Sequence, residues 1–333
     1  MPWTMRPATA DDHDQIRNLF REVFGYQRAD EHDRWLSFEN PDGQSIATVA
    51  EDRAQIVGCY TLLPTMLRLG KQNVLGAQSL DTMTHPDYRG QGMFTKLAIQ
   101  TFELAGERGV KALYGYPNEA SYPGFVRRLN WDHTGDIPRW TRVLKPSVLR
   151  TIPRPIGWSL DAAASLLVPK GDEGAFEGPP PPSKLAQLIT KCFDQPDICR
   201  VARSVEWMNW RFSPASGRRY EWVTAEMDGE LAAVAVWGIR EDGHGVLTEI
   251  MGMDQPAVNI AVARAVRAAY RVGVPALHTV TNEPVAIRAL KRARFFTRKP
   301  LPLIVRSMTH ENLGGNIHNH SAWRVVAADI DTY

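Results

Sequence analysis

Two stretches of this 333-residue chain read almost alike: GVKALYGYPNEA from Gly109 and GVPALHTVTNEP from Gly273. Gly-Val-x-Ala-Leu recurs at an offset of 273 − 109 = 164 residues, and Asn118-Glu119 recurs at the same offset as Asn282-Glu283. FVRRLNW (125–131) then aligns without a gap on ALKRARF (289–295). Upstream, IATVAEDRAQIVGCYTL resembles EWVTAEMDGELAAVAVW in pattern, and RWLSFENP stands beside WMNWRFSP. Several identities at one offset point to a duplicated unit rather than a chance likeness of two αβ segments. The length suits two domains of about 150 residues each.

Within the first copy, strand and helix signals alternate. ATADDHDQIRNLFREVFG carries Ile16, Leu19, Phe20, Val23 and Phe24 at helical spacing, with Thr9 or Asp11 to cap it. SIATVAED and QIVGCYTLLPTMLRLG read as two strands joined by a turn near Asp52-Arg53, and VLGAQSLDTMT as a third. GMFTKLAIQTFELAGERG reads as a helix with its apolar face at Met93, Leu97, Phe102 and Leu104, ended by Gly109. VKALYGY is a short buried strand, and SYPGFVRRLNW a brief helix leading to an aromatic. The prolines of 146–185, with GDEGAFEG, mark a linker between a first domain at 1–145 and a second at 186–333.

Composition removes several classes of function. With 39 basic and 37 acidic residues the net charge is +2, which gives no basic field for nucleic acid. Cys59, Cys192 and Cys199 are too few and too unevenly spaced for a disulfide framework or a zinc site, so no metal is expected and a reducing, cytoplasmic setting is. The opening MPWTMRPATADDHD has no apolar core and does not read as a signal peptide. The longest apolar run, IGWSLDAAASLLV (156–168), is too short to span a membrane and reads as a helix packed on the protein.

The copies differ at one place. The first has HPDYRGQGMFTKL (85–97) where the second has GMDQPAVNI. A Gly-rich turn before a helix exposes backbone N–H groups, and the helix start adds partial positive charge. Glycine admits close approach by a bulky anion, and Arg89 adds a cation, so this is a pyrophosphate cradle. Read alone, Arg-Gly-x-Gly is equally a tight turn that uses glycine for its dihedrals. It is neither a P-loop nor a Rossmann fingerprint.

In its order of elements the segment resembles the GNAT superfamily of acyl-CoA-dependent N-acyltransferases, whose loop reads Gln/Arg-x-x-Gly-x-Gly/Ala. Here the loop is Arg89-Gly90-Gln91-Gly92-Met93-Phe94, with Phe in the last position. The resemblance covers about residues 5–145, and the duplication is similar to tandem-domain GNAT enzymes, the Eis-like aminoglycoside acetyltransferases among them. It implies an α/β fold of two GNAT-like domains, each a mixed, mostly antiparallel sheet flanked by helices. It also implies acetyl-CoA as acyl-donor substrate, and a degenerate second copy that shapes the acceptor site. By the same resemblance Leu80, Thr82 and Met83 would lie along the pantetheine and Asn118 would contact coenzyme A.

Acyl transfer to an amine needs a base for the ammonium proton and an acid for the leaving thiolate. Family members take the acid from a Tyr whose position here is Val126, so Tyr122, one helical turn earlier, is the substitute. Asp81 is the first base candidate, on the strand lining the thioester; Glu119, His85 and Glu39 are others. In Eis-like enzymes the chain terminus enters the active site, and AADIDTY can swing back in that way. Trp207, Trp210, Arg211, Arg218, Arg219 and Trp222 would suit an amino sugar or nucleotide sugar, or else form core and solvated loop. The expected activity is direct N-acyl transfer to a small-molecule amine. Its rivals are a coenzyme A sensing module without turnover and a Fem-like aminoacyl transferase.

Overall fold

Strands pair with their sequence neighbours as far as residue 115, and then the order breaks. The structure, a computed structural model, describes residues 3–148, 154–171, 175–176, 178–193, 195 and 197–331. The first half runs β1 (Thr4–Pro7), α1 (His13–Phe24), α2 (Asp30–Phe38), β2 (Ile46–Asp52), β3 (Gln55–Leu69), β4 (Gln72–Thr84), α3 (Met93–Glu107), β5 (Ala112–Gly115), α4 (Tyr122–Arg128) and β6 (Asp132–Val143). A connecting stretch carries α5 (Arg154–Leu166), β7 (Ala175–Phe176), α6 (Pro182–Phe193), β8 (Cys199–Val201) and α7 (Val205–Arg211). The second half runs β9 (Tyr220–Met227), β10 (Glu230–Ile239), β11 (Gly245–Gly252), α8 (Gln255–Val272), β12 (Ala276–Val280), α9 (Pro284–Arg292) and β13 (Phe296–Ser307).

All of these strands join one sheet, ordered β1-β2-β3-β4-β5-β13-β6-β12-β11-β10-β9-β7, with β8 on β3. The last strand of each half lies in the other half's territory. β13 pairs with β5 and β6 pairs with β12, and the two exchanged strands pair with each other at the centre. The register obeys the 164-residue offset: Gly115 opposes Ile304, and their counterparts Thr279 and Trp140 oppose each other. Asp132 faces Val305 and Phe296 faces Thr141, the same pair carried through a pseudo-twofold axis. The duplication read from two short stretches is therefore present in the backbone pairing. The exchange of final strands has no local sequence signal, because each strand's partners lie far away in the chain.

Alternation along the strands sends side chains to two layers. On β13, Ile304 joins the core beneath α3, while Leu303 and Val305 join a core on the opposite face with Trp207, Trp323 and Val325. α8 covers the second half with its stripe of buried alanines and valines. The other face holds α1, α2, α6, α7 and the C-terminal segment.

Local expectations translate with small shifts. The β2–β3 turn uses Arg53 and Ala54, both with positive φ. The cap of the first helical segment is made by Thr9 and Asp12 rather than Asp11: Thr9 N donates to Asp12 Oδ2 at 2.8 Å, and Arg6 holds the same carboxylate. The run at 156–168 packs on the protein, but through polar contacts. Ser147 N donates to Asp161 and Arg142 to the Leu167 carbonyl, while Trp158 and Leu166 face outward.

Candidate active site

β4 and β5 run parallel from Gly76↔Ala112 to Ser79↔Gly115 and then part. Beyond Ser79, β4 continues through Leu80–Thr84 with only β3 beside it. The ladder to β3 breaks between Cys59 and Thr61, opposite Asp81 and Thr82. Asp81 sits there with φ 44°, a left-handed conformation that bends the strand outward. The result is a V with β4 as one arm and Tyr116–Asn118 as the other, as the resemblance implies.

At the rim of the V lies the Arg89–Gly92 turn. Gly90 and Gly92 have φ 79° and 75°, and a Cβ at either would meet nothing within 4 Å. The glycines thus serve the dihedrals, and the space beside each is open. Gly92 caps α3, whose first ladder bond is Lys96 N to Gly92 O, so the amides before it are free of the helix ladder. Arg89 is exposed. Gln91 accepts from Trp3 Nε1 at 2.9 Å, which ties the loop to the chain start.

Several predicted residues turn their side chains elsewhere. Met93 is buried in the core under α3, and Phe94 packs on Tyr60 and Phe125, so only their backbone faces the turn. Leu80 and Met83 also bury their side chains, while Thr82 is partly exposed. Asn118 Oδ1 accepts from Ala120 N and Ser121 N and so builds the turn into α4. Glu119 is exposed and bonded to Lys299. Glu39 is exposed at the end of α2, and His85 caps the short turn at 86–88. Val126 packs against the core under α3. Tyr122 Oη is hydrogen-bonded to His133 Nδ1 at 3.0 Å, and His133 Nε2 to Asp136 at 3.2 Å.

The carboxylate at the V is not alone. Arg28, from the α1–α2 connection, donates to Asp81 Oδ2 at 2.5 Å and also pairs with Asp33. The C-terminal segment brings a second carboxylate: Gln78 Nε2, on β4, donates to Asp331 Oδ1 at 2.9 Å. Burial and then the Asp81 charge push the Asp331 carboxyl up to about 6, against the pull of Arg28. Asp331 carries no motif. Its only signal in the sequence is its nearness to a chain end that can swing back.

Beside Asp331 is a cleft lined by Trp35, Gln78, Tyr114, Trp210 and Arg211. Trp207 and Arg211 lie at its wall, whereas Trp222 is core. Arg211 holds the tail, donating to the carbonyls of Ala328 and Ile330. Tyr116 Oη is enclosed and has no partner among the described residues. Burial, with Asp329 and Asp331 nearby, raises its pKa well above the ordinary value.

A splayed parallel pair with a helix on one face gives an α/β fold of GNAT type in both halves, and the glycine turn at the helix start belongs to the first half alone. Residues 4–134 match the family model described as an acetyltransferase (GNAT) domain. An uncharacterized N-acetyltransferase of Methanocaldococcus jannaschii is 25% identical over 155 residues, covering 43% of this chain and 66% of that relative. A probable N-acyltransferase structure from Enterococcus faecalis superposes with a TM-score of 0.65 at 12% identity, over 92% of this chain and 73% of the other. A tandem GNAT protein from the clavulanic acid biosynthesis pathway superposes with a TM-score of 0.62 at 14% identity, over 93% and 100%. Residues 4–134 are thus similar to a GNAT domain, and over nearly its whole length the chain has a fold like that of the tandem GNAT structure. No helix among the described residues is long and apolar enough to cross a membrane.

Proposed function

We propose that the protein transfers an acetyl or other short acyl group from acyl-CoA to a primary amine of a small molecule. The observation that carries this is the meeting of Asp331 with the open V: a carboxylate of raised pKa stands beside the strand that would line a thioester. The Arg89–Phe94 turn holds the pyrophosphate by backbone N–H groups and the Arg89 cation. The N–H groups of the β4 bulge polarise the thioester carbonyl.

Asp331 takes the ammonium proton, the freed amine attacks the carbonyl carbon, the C–N bond forms and the C–S bond breaks. The leaving thiolate takes its proton from Tyr122, backed by His133 and Asp136, and the Tyr122 phenolate takes the remaining extra proton from the new amide nitrogen. Asp81, paired to Arg28, keeps the local charge that raises Asp331 and attracts a cationic acceptor. The aromatic cleft at Trp35 and Trp210 suits the apolar face of an amino sugar or a similar amine. No cysteine stands ready as a nucleophile: all three are buried. The division into a catalytic unit at 1–145, a linker and an acceptor-shaping unit remains our proposal, as does the cytoplasmic setting.

Val126 favours one alternative, a coenzyme A sensing module, because the usual proton donor is missing and the position is packed into core. Calorimetry with acetyl-CoA on the wild type and on Arg89→Glu/Gly92→Asp tests the cradle. Thiol release with a panel of primary amines then separates turnover from sensing. Wild-type protein that does not bind acetyl-CoA overturns both readings.

A further inference from the structure

The second half has its own V. β11 and β12 run parallel only at Gly245↔Leu277 and Val246↔His278, and then part. Matching this register to Ala77↔Leu113 in the first half sets Gly245 against Ala77, and therefore Glu249 against Asp81. In the first half the arm beyond Ser79 is open. In the second, the chain's own end lies between the arms. Val326 bridges Thr281 in antiparallel fashion, and Asn282 N donates to the Val325 carbonyl at 3.3 Å. Asn282 Oδ1 accepts from Val325 N at 2.8 Å, and Asn282 Nδ2 donates to the Trp323 carbonyl at 3.0 Å. Its repeat partner Asn118 spends the same side chain on its own turn.

The opposite arm is tied in by charge. Arg203 donates to Glu249 Oε2 at 2.9 Å and to Asp329 Oδ1 at 2.5 Å, and all three side chains are buried. Asp329 Oδ2 also accepts from Val326 N at 2.8 Å, which fixes the turn at 326–329. Two residues later comes Asp331, on Gln78.

We infer that the second half has turned its acyl-chain slot into a clamp for residues 325–329, and that Arg203, Asp329 and Asn282 are positioning residues which set Asp331 in the site of the first half. The inference rests on the reading of Asp331 as base. A buried ion triad is an expensive way to gain stability but an exacting way to specify one geometry. Apolar packing alone would let a tail slide along the slot. A cation shared between β11 and residue 329 fixes the register of the tail by distance and direction. The second half would then have kept its fold, lost its own anion loop and taken a new part in the chemistry of the first.

The test is a carboxyl titration by NMR on protein labelled at aspartate side-chain carbon, with Asp331→Asn to assign the resonance. Amide hydrogen exchange at 325–331 and calorimetry with acetyl-CoA run in parallel. In the wild type Asp331 titrates near 6. In Asp329→Asn it falls toward the ordinary carboxylate value of about 4, exchange at 325–331 speeds up at least tenfold, and acetyl-CoA affinity stays within about twofold. Asn282→Ala, which leaves the triad whole, gives the same direction and serves if Asp329→Asn does not fold. With an amine found by thiol release, both variants lower kcat about tenfold with little change in the acyl-donor KM. A tail loosened in exchange while Asp331 still titrates near 6 overturns the clamp, as does unchanged exchange. If wild-type Asp331 itself titrates near 4, the base reading fails, and the exchange result alone then decides the clamp.

Discussion

Trp35 and Trp210 lie face to face, with ring centroids 4.7 Å apart and planes 19° apart, and each indole N–H donates to the other's backbone carbonyl. One residue comes from α2 and the other from α7, 175 positions later. The pair lines the cleft beside Asp331 and binds the connecting stretch to the first half. Trp35→Ala removes a nearly buried ring and is expected to cost about 3–5 kcal/mol in urea unfolding. Trp210→Phe keeps the stack but loses one hydrogen bond, at about 1 kcal/mol. Neither change alters acetyl-CoA affinity by calorimetry; both weaken the acceptor.

A base of pKa about 6 gives a rate that rises as pH passes through 6 and levels above it. Asp331→Asn removes that limb and lowers kcat by roughly two orders of magnitude. Stability moves the other way. A carboxyl raised in the folded state contributes stability that is full below about 4, its unfolded value, and is lost as pH rises through 6. Asp331→Asn should therefore unfold at higher urea than the wild type at pH 8, by about 1–2 kcal/mol after allowance for partial exposure, and show little gain at pH 4.

Arg28 opposes the upward shift of Asp331 and is paired to Asp81. Arg28→Gln takes the paired cation from Asp81 and the stronger of two nearby cations from Asp331, so the acid limb of the pH–rate profile moves to higher pH, by about one unit. A limb that stays in place, or moves down, would show that Arg28 does not face the base.

Gly92 turns with φ 75° into open space. Gly92→Ala fits sterically and costs about 1 kcal/mol in thermal unfolding, because a Cβ is strained in that conformation. The same Cβ enters the cradle, so acetyl-CoA binding should weaken about tenfold or more by calorimetry. Gly90→Ala behaves alike, whereas alanine at exposed Glu107 changes neither property.

Burial raises the thiols of Cys59, Cys192 and Cys199 to about 12. Iodoacetamide at pH 8 should leave the folded protein unmodified by mass spectrometry and fully active, consistent with transfer that forms no bond to sulfur.

Much of the molecule could be read from one sequence. The hydrophobic period of 93–107 and Gly109 gave α3 within two residues, since both its stripe and its stop are local. Arg89-Gly90-Gln91-Gly92 read as an anion turn because glycine spacing and helix onset are local too. The 164-residue offset announced two copies, and it reappears pair by pair in the register of the sheet. What remained hidden depends on partners distant in the chain. Met93 stood both on the apolar face of α3 and in the loop motif, and only the packing shows that its side chain goes to the core. Asp81 looked like a free base, but an arginine 53 residues earlier folds onto it. Asp331 has no neighbours in sequence that mark it, and only the sheet brings it within 2.9 Å of Gln78, 253 residues away. The sequence by itself determined the elements, their duplication and the loop, because these follow from spacing along the chain. The tertiary structure decided which strand closes which half and which carboxylate reaches the V. The partners of a strand and the surroundings of an acid lie far away in the chain, so neither is marked by the residues beside it.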